Sequence, residues 1–274
     1  MIPDIIASDA EWPYSKAKTA VLSAAAAVIR EEGPRAATLK NIANRAGITE
    51  PAIFRHFDGV DGLFGGLFTV FERIWRRFTA AFEAGSDAKG LEHLREAVSA
   101  VAELLAGCGD YAYIVANAEH VFRGYPDLRA KVTALKKGTG AAALACVQEG
   151  QKSGDIRSDA DPMSIVSSSI GMFTFTATSW IESDFSFDLR DVCEARWEDI
   201  ERFVATRPIA RSADRAPRLR SAALKVESAV TNKETARAPK GAKRAASRKD
   251  GAAKKATAAK QAAGAKARSS AKKK

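Results

Sequence analysis

From Ser15 to about residue 205, apolar positions recur every three or four residues, the period of helices that bury one face. The first such stretch, residues 15–32, carries Val21, Leu22, Ala25, Val28 and Ile29 on one stripe, with Ser15 as its expected cap. Gly33 and Pro34 stop it. Thr38 is a good N-cap, and Leu39, Ile42, Ala43 and Ala46 after it give one apolar face. Gly47 suits the positive φ that ends a helix, and Ile48 supplies an apolar plug. Thr49 then caps a second helix with Pro51 in its first turn, where a missing N–H costs nothing. Ile53, Phe54 and Phe57 form its expected inward face. Two helices of about eight residues joined at a glycine predict a helix-turn-helix. Neither is long enough to stand alone, so the preceding helix must support both.

After a turn at Asp58–Gly62, a long helix is expected, with Leu63, Phe64, Leu67, Phe68, Phe71, Ile74, Trp75, Phe78 and Phe82 on a stripe too wide for one neighbour. Gly65 and Gly66 near its start serve either as a soft joint or as a close packing contact. Residues 85–90 read as a loop, 91–106 as a helix and 111–122 as a shorter one. Asp127 is the expected cap of a helix to about Gln151, and Asp161 with Pro162 opens the next. In that helix, residues 162–182, Val166, Ile170, Phe173, Ala177 and Trp180 follow a heptad-like seam. Its 163–181 stretch has no charge, so it is expected to be shielded nearly all round. Together with residues 189–205, which include Trp197, it reads as half of a four-helix dimer interface.

An alanine-rich helix ending in Glu-Glu-Gly, followed by T-x-x-x-I-A-x-x-A-G-I-T-x-x-x-I-F-x-H-F, resembles the DNA-binding domain of the tetracycline-repressor (TetR) family over residues 16–64. The resemblance implies an all-α homodimer, joined by its last two long helices, with an effector pocket within residues 63–182. It also implies that Lys40 and the first turn of the second helix reach base edges. Two departures stand out. Val60 occupies a place where the family has a lysine, and Phe54 replaces a tyrosine whose hydroxyl bonds a phosphate.

The charge of the chain is divided. Residues 1–206 are acidic, net −7, and residues 207–274 are basic, net +17. Residues 231–274 hold 15 Lys/Arg, 2 acids and no large apolar side chain, so this tail is expected to stay disordered. Its Lys/Ala composition resembles the tails of linker histones, and DNA, RNA or polyphosphate are its candidate partners. The expected organisation is a loose arm at 1–14, a DNA-binding domain at 15–62, a regulatory and dimerisation domain at 63–207 and a disordered tail at 208–274. Three widely spaced cysteines suggest a reducing compartment. The acidic N-terminus is not a secretion signal, and eight Ser/Thr within 163–181 argue against a membrane span. A soluble, cytoplasmic, nucleoid-associated protein is expected.

Phosphate contacts would supply affinity and base contacts choice. The candidate DNA-contacting residues are Thr38, Lys40, Thr49, Glu50, Pro51, Ala52, Phe54, Arg55 and His56. Pro51 and Ala52 suit a thymine methyl and Arg55 a guanine; Glu50 either accepts from cytosine or faces solvent. Phe71, Trp75, Phe78, Tyr111, Tyr113, Phe122, Met172 and Phe175 are candidate pocket residues, although plain core is the commoner fate of such side chains. The three histidines have no metal-ligand spacing, and no nucleophile or phosphate-loop motif is present, so no catalysis, cofactor or metal is expected. The reading is a ligand-released repressor binding a pseudo-palindrome, with an architectural nucleoid-type protein as the alternative.

Overall fold

The computed structural model describes residues 12–83 and 90–206; the expectations for residues 1–11, for the expected loop at 85–90 up to residue 89, and for the basic tail lie outside them. Every regular element among the described residues is helical, apart from one antiparallel bridge between Ile156 and Ala205. No described helix is long and apolar enough to cross a membrane.

Helix α1, Lys16–Glu32, starts where Ser15 accepts a bond from the Lys18 amide and ends at Gly33. Its alanines let neighbours approach on several sides, so Ala24, Ala26 and Ala27 are buried along with the expected stripe. Helix α2, Leu39–Ala46, is capped by Thr38, whose hydroxyl accepts from the Asn41 amide. Gly47 takes φ 68°, a left-handed turn that a side chain would strain.

The second helix of the pair departs from expectation. Helix α3 covers only Glu50–Ile53, and Thr49 makes no side-chain cap bond. The chain then tightens, the Arg55 and His56 amides bonding three residues back to Ala52 and Ile53. This tightening delivers Phe57 to the core, 6% exposed, beside the Tyr14 ring. Phe54, expected inward, is instead 57% exposed, and Ile48 at 36% is no plug.

Helix α4, Gly59–Glu83, starts inside the expected turn and so crosses the boundary drawn at residue 62. A Cβ on Gly66 would lie 2.9 Å from Leu22 Cδ2 and 3.0 Å from Phe57 Cε1. The close-packing reading therefore holds for Gly66, where α4 presses on α1. Helices α5 (Leu91–Ala106), α6 (Tyr111–Ala116) and α7 (Ala118–Val121) follow, with Asn117 interrupting the expected continuous segment. Helix α8, Pro126–Ser153, is entered at Tyr125 with Pro126 first, so Asp127 lies within the helix and does not cap it. Helix α9, Pro162–Glu182, is capped by Asp161, which accepts from the Ser164 amide at 2.7 Å. Helix α10, Leu189–Val204, completes the bundle.

The interior forms two clusters. One runs from Val21 in α1 through the aromatic stripe of α4 to Cys193 in α10; the other gathers Leu91, Val98, Val147, Val166 and Trp197 at the far end. Helices α2 and α3 thus share a core with the bundle. Residues 12–14, expected to belong to a loose arm, are tied down: Trp12 Nε1 donates to Thr19 and the Tyr14 hydroxyl to Thr69. Cys108, Cys146 and Cys193 are buried and free. Burial pushes the Cys108 and Cys193 thiols up to about 12, which keeps them protonated and suits a packing role.

Candidate nucleic-acid interface and effector cavity

The helix-turn-helix presents Thr38, Lys40, Thr49, Glu50, Pro51, Phe54 and Arg55 at the surface, with Ala52 and His56 half-buried. Ile42 and Ile53, both fully buried, fix α2 and α3 to the core so that these side chains are held outward. The cations near them are not equivalent. Arg45 forms a fork on Glu31, with bonds of 2.7 and 2.6 Å, and this guanidinium holds Glu31 below the usual carboxylate range. Lys40 and Arg55 make no such pair among the described residues.

One side chain joins this unit to the bundle. Arg30, in the last turn of α1, donates from Nε to Asp110 at 2.6 Å and from a terminal nitrogen to Asp184 at 3.3 Å. Its guanidinium lies 5.4 Å from the centre of the Phe185 ring. Asp184 and Phe185 both have positive φ, 53° and 62°, an uncommon conformation for residues with side chains. The Phe185 amide donates to the Trp180 carbonyl, and the two rings are 4.5 Å apart, which holds the turn in place. Arg30 therefore touches the start of α6 and the chain just after α9.

Both of those helices wall a cavity of about 240 Å³, enclosed with α4, α5 and α8. It lies at the seam between the two core clusters. Of the eight candidate pocket residues, Trp75 and Phe78 line it. Phe71 and Phe122 are instead fully buried in the aromatic cluster of α4, 6.0 Å apart. Tyr111 is buried in that same cluster, on the helix that packs against α1. Tyr113 and Met172 are half-buried away from the lining, and Phe175 is 60% exposed with the Arg196 guanidinium 5.2 Å from its ring centre.

The expected dimer seam is also reassigned. Val166, Ala177, Trp180 and Trp197 are buried within one chain and are not available to a partner. Val166, Ile170, Phe173 and Ala177 line the cavity. The heptad spacing is real, but apart from Ile170, which lines the cavity and is still 48% exposed, it faces inward because α10 and α8 both pack against α9. What α9 leaves outside is Met163, Ile170 and Phe175, among small uncharged residues, and α10 adds Phe203 at 75% exposure.

Sequence reasoning missed Lys136 and Thr139, which face the cavity from α8. Helix α8 mixes polar and apolar residues with little sidedness, so its pattern carries no sign of which face turns inward. No group of three or more His, Cys, Asp or Glu among the described residues is placed to hold a metal ion.

Residues 21–67 match the family model described as bacterial regulatory proteins, tetR family. The fatty acid metabolism regulator protein of Bacillus subtilis (strain 168) is 25% identical over 171 residues, covering 62% of this chain and 86% of that one. Among solved structures, the transcriptional regulator FadR from Bacillus subtilis in complex with stearoyl-CoA superposes with TM-score 0.53 at 24% identity, over 66% of this chain and 96% of that chain. The ketosteroid transcriptional regulator KstR2 of Mycobacterium tuberculosis gives TM-score 0.56 at 20% identity, over 71% and 97%.

Proposed function

We infer that this chain, a DNA-binding transcriptional regulator of the tetR family, represses transcription as a homodimer and leaves its operator when a largely apolar molecule fills the cavity. The observation that carries the reading is Arg30. It ties the helix supporting α2 and α3 to two of the cavity walls, so a ligand that spreads those walls moves the DNA-reading unit. Lys40 and Arg55 meet the DNA, Arg55 at a guanine edge, with Thr38 and Thr49 on phosphates and Pro51 and Ala52 against a thymine methyl. Glu50 faces solvent at the edge of the contact, and His56, half-buried, supports α3 from below. The protein acts in the cytoplasm on the nucleoid, and it carries out no catalytic step. The similar proteins named for fatty acid and ketosteroid regulation fit a hydrophobic effector.

Exposed Phe54 offers a clean test of where α3 lies. Phe54→Tyr adds a hydroxyl at the point where the TetR resemblance sets a phosphate-bonding tyrosine. Operator affinity should rise about two- to tenfold, the worth of one new hydrogen bond of about 0.5–1.5 kcal/mol. An unchanged affinity places residue 54 off the DNA.

Dimerisation falls to the outer face of α9 and to Phe203. Met163 and Ile170 are seven residues apart, two turns along one side, and the stretch between them is uncharged. A paired α9–α10 face would bury them and set two α3 segments on a pseudo-palindrome. Met163→Glu with Phe175→Glu should raise the dimer dissociation constant by about a hundredfold or more, since each loses apolar burial and adds a charge to desolvate. Both side chains are exposed in the single chain, so its melting should not change. Sedimentation equilibrium reads the outcome, and an intact dimer would move the interface elsewhere.

The whole reading is tested by selecting bound sequences from random DNA and footprinting the winner at rising salt. One protected pseudo-palindrome that persists as background binding falls is the expected result. Protection without a preferred sequence would favour the architectural alternative, for which the +17 charge of residues 207–274 speaks.

A further inference from the structure

The cavity has a polar end. Lys136 is the one charged residue among those lining it. Three residues on along α8, Thr139 accepts from Trp75 Nε1 at 2.9 Å and shares a proton with Thr79 at 2.6 Å. The i, i+3 spacing puts Lys136 and Thr139 on one helix face. The other walls near the ligand space are mostly aliphatic and aromatic, from Phe78, Leu94, Val98 and Phe173, with Ser169 and Thr174 adding hydroxyls from α9, of which Ser169 donates to the Ile165 carbonyl. Lys136 Nζ donates to Glu119 Oε1 at 3.1 Å and lies 5.7 Å from the Trp75 ring centre. Its side chain is 31% exposed and that of Glu119 60%. One of the three ammonium donors is thus spent on an exposed carboxylate outside the lining, an anion that a ligand can replace.

Size narrows the class. A protein cavity of about 150 Å³ holds benzene, six carbons, so 240 Å³ has room for about ten. We propose that the cavity binds an unbranched carboxylic acid of about ten carbons, its chain between α4, α5 and α9 and its carboxylate on Lys136 in place of Glu119. This rests on the effector reading above and names the effector's chemistry. Entry of the acid frees Glu119, and with it α7, which packs against α8.

The test is calorimetry on the full-length protein without DNA, using decanoate, decan-1-ol and decanoyl-CoA. Decanoate should bind about ten- to a hundredfold more tightly than decan-1-ol, the worth of a charged hydrogen bond. Lys136→Met should remove that difference while leaving the alcohol's affinity in place, and Glu119→Gln should tighten decanoate several-fold. Equal binding of acid and alcohol overturns the proposal, as does decanoate binding that ignores both substitutions. Binding of decanoyl-CoA without binding of decanoate assigns the site to a thioester and also overturns it. A separate arm adds decanoate to the operator complex. Decanoate that binds without releasing DNA leaves the site standing and removes the effector role, whereas operator binding with no decanoate binding removes this assignment alone.

Discussion

Replacing Lys40 and Arg55 together with alanine should weaken operator binding by about a hundredfold or more, with no loss of folded stability. A base-edge contact of the arginine–guanine kind contributes about 1–3 kcal/mol of discrimination, and the lysine adds a base or phosphate contact beside it. Both side chains are exposed and have no ion pair among the described residues, whereas Arg45 is committed to Glu31. Arg45→Ala therefore serves as the contrast: it should lower melting temperature slightly and leave sequence choice alone. Electrophoretic mobility shifts on the selected operator and on a scrambled duplex separate the two effects. Should the double variant bind its operator as tightly as the parent, α2 and α3 are not the reading elements.

The second large effect concerns salt. Truncation after residue 207 removes 20 Lys/Arg and 4 acids. If six of those cations meet phosphates at once, the slope of log affinity against log salt should flatten by about five units. At low salt the truncated protein should then bind non-specific DNA orders of magnitude more weakly, while its choice among sequences is retained. A truncation that abolished every DNA interaction would assign binding to the tail and leave the helix-turn-helix without a role. An unchanged slope would assign the tail to another polyanion.

Caps and breakers made most of the fold legible. Ser15, Thr38 and Asp161 each accept the amide bond that their position before an apolar run predicts, and Gly47 turns the chain as a left-handed residue. Local rules failed where a tertiary contact decides. The segment after Ile53 has an adequate helical pattern, yet it tightens so that Phe57 can reach α1 and α4, which turns Phe54 outward. The uncharged stretch of α9 marked a packed helix but not which face meets the core, and Met163, Ile170 and Phe175 stay exposed in the single chain. Heptad spacing looks the same whether the neighbour is a second copy or a helix of the same chain. The cavity was the least legible part: its aromatic candidates share one stripe of α4, where Phe71 fills the core and Trp75, one turn on, meets the ligand space. Nothing in α8 marks Lys136 as the residue that faces that space.

The shared interior of the DNA-reading helices and the bundle has a consequence for the regulated gene. Under the proposed repressor reading, a promoter held silent by this protein senses whether the chain is intact as well as whether its ligand is present. Heat or a lesion deep in the bundle loosens the same contacts that hold α2 and α3 in place, and a loss of one or two kcal/mol already lowers the standing amount of folded protein several-fold. Damage and effector then send one message, and both switch transcription on.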